Sequence, residues 1–220
     1  MNAASALARL RALGKPVVTT EEAALVLRAG CSAATHTLTR LATAGLLKRI
    51  RHGLWTTDLN LDPLLLPEYL TAPFPSYVSF QSALFFHGMV SQIPSVIYVA
   101  SLAQTRRVLT SVGTFSIHRL APSVFGGYEI VPTQEVRLAT PEKALFDTLY
   151  LTPARSRLFA HLPEVELPDH FDHDRIRDWV RRIPAGPRRA SVELRLEALL
   201  ESQRPRRREP PRHLRVRAHT

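Results

Sequence analysis

Three features of this 220-residue chain point to an α+β fold. Helical apolar spacing fills residues 1–45, short β-rich runs punctuated by glycine and proline fill the middle, and helical spacing returns towards the end. The expected architecture is a helical N-terminal unit closed by a hairpin, then a mixed α/β region with a small, mostly antiparallel sheet and terminal helices. A composition of 45% apolar and 22% charged residues excludes wholesale disorder. The single cysteine, Cys31, excludes an intramolecular disulfide framework and a zinc site built on several thiolates.

Leu7, Leu10 and Leu13 give the first helix its spacing, and Gly14-Lys15-Pro16 stops it. Thr19 and Glu22 are spaced as a capping box for a second helix through Ala23, Ala24 and Leu27, which Gly30 is expected to end. A third helix is expected from Ser32, as its cap, to about Ala44, with Ala34, Leu38, Leu41 and Gly45 along its inner stripe. That stripe turns Ser32, Thr35, His36, Thr39, Arg40 and Thr43 outwards. The set holds hydroxyls, one histidine and one arginine but no acid, which suits a helix lying beside phosphates.

Two extended runs then meet at His52-Gly53, and their alternation sets Arg49 and Arg51 opposite Ile50. Three helices and a basic hairpin are the layout of a winged helix-turn-helix, assigned to residues 1–58. The third helix would enter the major groove, while Lys48, Arg49, Arg51 and His52 grip the backbone. The candidate DNA-binding residues are therefore Ser32, Thr35, His36, Thr39, Arg40, Lys48, Arg49, Arg51 and His52.

Residues 59–75 are broken repeatedly by proline yet carry Leu64, Leu65, Leu66 and Leu70, which predicts a packed connector. Residues 76–203 form the second unit. It opens with Ser79 as a cap and a helix from Phe80 to His87 that ends at Gly88. Strands are expected at 96–99, 107–109, 114–118, 128–131 and 135–138. Thr140, Pro141 and Glu142 then start a helix that runs to Tyr150 or Leu151 and buries Ala144, Leu145, Phe146 and Leu149. Two more helices follow, over 172–183 and 191–202. Residues 204–220 carry seven basic residues and one acidic residue, and read as a disordered Arg- and Pro-rich tail with an affinity for polyanions.

Other groupings have plainer explanations than chemistry. Asp172 and Asp174 resemble a metal pair, but no Gly-Ser phosphate turn precedes them, and Asp172 serves better as a helix cap. Ser79, Ser82 and His87 lack the strand-turn-helix setting of a nucleophile. Glu142, Lys143 and Asp147 share a helical face, where Lys143 and Asp147 make an ion-pair ladder and the three together are a candidate partner contact. Glycine-rich phosphate loops are absent. No cofactor, metal or catalytic residue is expected. With no stretch near the roughly 20 apolar residues that a bilayer requires, the chain is expected to be cytoplasmic.

Three segments carry a resemblance to a known family: Leu41 to Trp55, Tyr77 to Met89, and Leu138 to Tyr150 with its Thr140-Pro141-Glu142-Lys143-Ala144-Leu145 core. In this order they resemble the AbiEi-type antitoxins of type IV toxin–antitoxin systems, over the span from Ala6 to about Ser202. The resemblance implies a bacterial protein with two roles, and the lack of an acid-metal constellation leads to the expectation that it is not an enzyme. Its winged helix would repress its own operon at inverted repeats in double-stranded DNA, and its C-terminal part would neutralise a nucleotidyltransferase toxin of the AbiEii type. The alternatives are a stand-alone winged-helix regulator without a toxin partner and, behind it, a nucleic-acid-processing enzyme that uses the winged helix for targeting.

Overall fold

The computed structural model describes residues 2–131, 135–151 and 164–203, so the basic end at 204–220 lies outside the described residues. Three helices open the chain. Helix α1 (Ala3–Arg11) buries Ala6 and Leu10. Helix α2 (Thr20–Leu27) starts on the expected capping box, in which Thr19 Oγ1 accepts from the Glu22 amide at 3.1 Å and Glu22 Oε2 accepts from the Thr19 amide at 2.9 Å. It ends on Arg28 rather than Gly30. Arg28 takes the left-handed conformation, φ 54°, and the next amide, that of Ala29, reaches back to Ala24 O at 3.0 Å. Gly30 instead precedes α3 (Cys31–Thr43) as a cap without a side chain. Ser32 is thus already inside the helix, past the position from which a hydroxyl reaches forward to the orphan amides.

Ala34, Leu38 and Leu41 of α3 pack with Leu10, Ala23, Leu27, Leu47 and Trp55 in a helical core. Strands β1 (Val18–Thr19), β2 (Lys48–Arg51) and β3 (Leu54–Thr56) form a three-stranded antiparallel sheet in the order β1-β3-β2. Its turn needs Gly53, at φ +77°, where a side chain would be strained. Its central strand β3 is buried throughout, whereas β2 buries only Ile50. Trp55 enters the helical core, while Ile50 and Leu54, with Val17, enter a second cluster.

That second cluster reaches well beyond residue 58. It contains Leu61 and, around α4 (Pro67–Thr71), Leu66 and Leu70, and it extends to Val99, Val108, Phe115 and Ile117. The last four belong to a six-stranded sheet built from β4 (Ser76–Val78), β5 (Ile97–Ser101), β6 (Arg106–Thr110), β7 (Gly113–Arg119), β8 (Tyr128–Val131) and β9 (Val136–Ala139), in the order β6-β7-β5-β4-β9-β8. β5–β7 and β4–β9 are parallel and the other three pairings antiparallel, so the sheet is mixed. The short β4, unexpected from the sequence, sits near its middle between β5 and β9.

Four helices enclose the largest core with this sheet: α5 (Phe80–Phe86), α6 (Pro141–Leu151), α7 (His173–Arg181) and α8 (Pro187–Gln203). α6 is buried all round, with every residue from Glu142 to Tyr150 covered. Asp172 caps α7 as expected, its Oδ1 accepting from the Asp174 and Arg175 amides at 2.9 and 3.0 Å. Those bonds, that from Arg175 foremost, hold its carboxyl below the usual range.

Candidate nucleic-acid interface

With Ala34, Leu38 and Leu41 drawn inwards, α3 presents Ser32, Thr35, His36, Thr39, Arg40 and Thr43 as exposed side chains. Among the described residues, neither His36 nor Arg40 is paired to a carboxylate. The threonine hydroxyls are occupied. Thr35 donates to Cys31 O at 2.8 Å, Thr39 to Thr35 O at 2.8 Å and Thr43 to Thr39 O at 3.0 Å.

The chain passes from α3 through Leu47, which packs in the helical core, straight into β2. Arg49, Arg51 and His52 are exposed and Lys48 is half-buried. Arg49 is the most constrained of the four. Its guanidinium lies 5.4 Å from the centre of the Trp55 ring, and its Nη2 donates to His52 Nδ1 at 3.2 Å. A guanidinium has no acceptor, so His52 Nδ1 must be the acceptor and the neutral ring carries its proton on Nε2. On the outer edge of β2, Ser111 in the β6–β7 turn donates its amide to Ile50 O at 2.9 Å and its hydroxyl to Arg49 O at 2.8 Å. The hairpin is therefore clamped between the helical core and the large sheet.

Residues 5–57 match a family described as "Transcriptional regulator, AbiEi antitoxin". The matched span runs from α1 through β3, so it contains the exposed face of α3 and all four basic residues of the hairpin. No curated protein matches the chain. Among the described residues, no helix is long and apolar enough to cross a membrane.

Three residues expected as a partner contact lie elsewhere. Glu142, Lys143 and Asp147 are 3%, 0% and 0% exposed, which corrects their assignment to an accessible face. The ion pair between Lys143 and Asp147 does form, but inside the protein. Lys143 Nζ also donates to Val124 O at 2.8 Å and sits 4.6 and 4.7 Å from the Trp179 and Phe146 ring centres. Asp147 Oδ2 accepts from the Tyr77 hydroxyl at 3.0 Å and from Ser79 Oγ at 2.7 Å. Ser79 stands at the N-cap position of α5 as expected but makes no capping bond with its side chain, because its hydroxyl is committed to this carboxylate.

Burial pushes Lys143 down and Asp147 up, each towards its neutral form, and their mutual attraction opposes both shifts. Tyr77 is driven well above its ordinary value by burial and then by the adjoining Asp147. Gly127 closes the site at φ +74°, where an added Cβ would stand 2.4 Å from the Trp179 ring. Glu142 is separate, its Oε1 accepting from the Asp172 amide at 3.1 Å. Ser82 and His87 likewise have unrelated partners, since Ser82 Oγ accepts from the Tyr98 amide at 2.9 Å and His87 Nε2 donates to Ala139 O at 2.7 Å.

Proposed function

We propose that this chain is a DNA-binding transcriptional regulator and antitoxin, with residues 1–58 as a winged helix-turn-helix, 59–75 as a packed connector and 76–203 as the antitoxin unit. One observation carries the reading: a helix face that is exposed and free of acids runs directly into a hairpin whose exposed side chains are Arg49, Arg51 and His52. In this reading α3 lies in the major groove of an inverted-repeat operator. Ser32, Thr35, His36, Thr39 and Arg40 meet bases or adjoining phosphates there, and Lys48, Arg49, Arg51 and His52 hold the flanking backbone. The antitoxin part draws support from the family description matched by residues 5–57. Its target would be a nucleotidyltransferase-type toxin met in the cytoplasm, and the chain itself would act without catalysis.

The test is a gel-shift series on specific and scrambled duplexes, joined to co-expression with the neighbouring gene product. Reversing charge at Arg49 and Arg51 is expected to weaken binding to all duplexes alike. Arg40→Ala is expected to reduce discrimination by about 1–3 kcal/mol. If both changes erode discrimination equally, the two elements have been given the wrong roles. Rescue of growth supports the antitoxin, whereas DNA binding without rescue beside a confirmed toxin leaves a stand-alone regulator.

A further inference from the structure

Thr35, Thr39 and Thr43 follow one another every four residues along the exposed side of α3. Each spends its hydroxyl hydrogen on the carbonyl one turn earlier, at 2.8, 2.8 and 3.0 Å. A threonine hydroxyl has one hydrogen, so none of the three keeps a donor for a base edge. What each leaves for a partner is its γ-methyl and an oxygen that can only accept. Guanine offers two acceptors in the major groove, N7 and O6, and such a face cannot satisfy them. Thymine offers a C5-methyl, the one apolar feature in that groove, and a threonine methyl complements it. Arg40 remains on the same face as the donor suited to guanine.

Building on the DNA-binding reading, we infer that Thr35 and Thr39 read thymine C5-methyl groups, so that the preferred duplex carries thymines where these side chains meet it. Four helical residues advance about 6 Å along the axis, close to two base-pair steps of about 3.4 Å. The two thymines are thus expected about two base pairs apart.

The experiment uses the full chain and a randomised duplex pool. After selection, each thymine of the enriched duplex is replaced singly by deoxyuridine, which removes the methyl and keeps every hydrogen-bonding group. Affinity is expected to fall about fourfold at each contacted thymine, the loss of one buried methyl. Thr35→Val and Thr39→Val keep the methyl and lose the oxygen, and should stay within about twofold of the parent. Thr35→Ser and Thr39→Ser keep the oxygen and lose the methyl. They should bind about fourfold more weakly and no longer distinguish thymine from deoxyuridine. Indifference to deoxyuridine at every position overturns the inference, as does valine losing affinity where serine keeps it. Failure to enrich any sequence sinks the DNA-binding reading itself, which separates the two failures.

Discussion

Lys143 has its ammonium group in the interior among Asp147, the Val124 carbonyl and the Phe146 and Trp179 rings. A charge so placed is tolerable only while its partner is present, because neither ion has water to fall back on. Asp147→Leu or Lys143→Met alone is expected to cost about 3–5 kcal/mol in urea denaturation. The double variant should cost clearly less than the two losses added, and simple additivity would show that the pair is not coupled. His118 gives the pH dependence. Burial lowers its pKa from the ordinary 6.5 to about 4. Between those values the unfolded chain binds the proton more readily than the folded one, so stability present above pH 6.5 is lost as pH falls towards 4. The contribution is on the order of 3 kcal/mol. Unfolding curves across this window should flatten in His118→Gln, and an unchanged pH slope would show that His118 is not the group responsible.

The elements differ in how far they could be read from the sequence, and the difference follows from the range of the forces that make them. The Ala34, Leu38 and Leu41 stripe of α3, the Thr19–Glu22 capping box and the Asp172 cap depend on residues within one or two turns, and each has the expected partners, whereas Gly45, also expected on that stripe, is exposed beyond the helix end. β1 and β4 span two and three residues, too few to show a period, and they exist because β3, β5 and β9 supply their ladders. The apolar face of α6 is buried as expected, but the burial of its polar face was equally illegible. Its Lys143 and Asp147 are spaced like a surface ion pair, and the groups that make burial possible, Tyr77, Ser79, Val124 and Trp179, are brought in by the fold from distant parts of the chain. Ser111 is a case of the same kind, since it holds Arg49 and Ile50 from 62 residues away in the chain in the first instance. Ser111→Ala removes one of these bonds, a loss of about 1 kcal/mol, and Ser111→Pro removes both donors. If the clamp aims the hairpin at the DNA backbone, affinity for all duplexes should fall in the order parent, Ser111→Ala, Ser111→Pro, with sequence preference intact. Equal binding by all three would show that the hairpin holds its position without Ser111.

Val17, Ile50 and Leu54 from the N-terminal unit share one cluster with Leu66 and Leu70 of the connector and with Val99, Val108, Phe115 and Ile117 of the large sheet. Cutting the chain near residue 58 would therefore divide a core. Each fully buried aliphatic or aromatic side chain returned to water costs about 1.5–3 kcal/mol. Several at once rival the roughly 5–15 kcal/mol by which a whole domain is stable. The two units are thus expected to unfold together, with one calorimetric transition for the full chain. A fragment beginning at Leu61 is expected to expose the Val99, Phe115 and Ile117 face, bind a hydrophobic dye and aggregate. Restoring residues 1–60 as a separate polypeptide should suppress the dye signal if the shared cluster is the cause. Two resolved transitions, or a soluble fragment that binds no dye, would mean that the sheet and its helices hold themselves together and that Val17, Ile50 and Leu54 only dock on a finished surface. That outcome would let the antitoxin unit be assayed alone. The expected one obliges function to be dissected by point substitution in α3 and the hairpin, because deleting residues 1–58 would remove part of the core on which the rest of the chain depends.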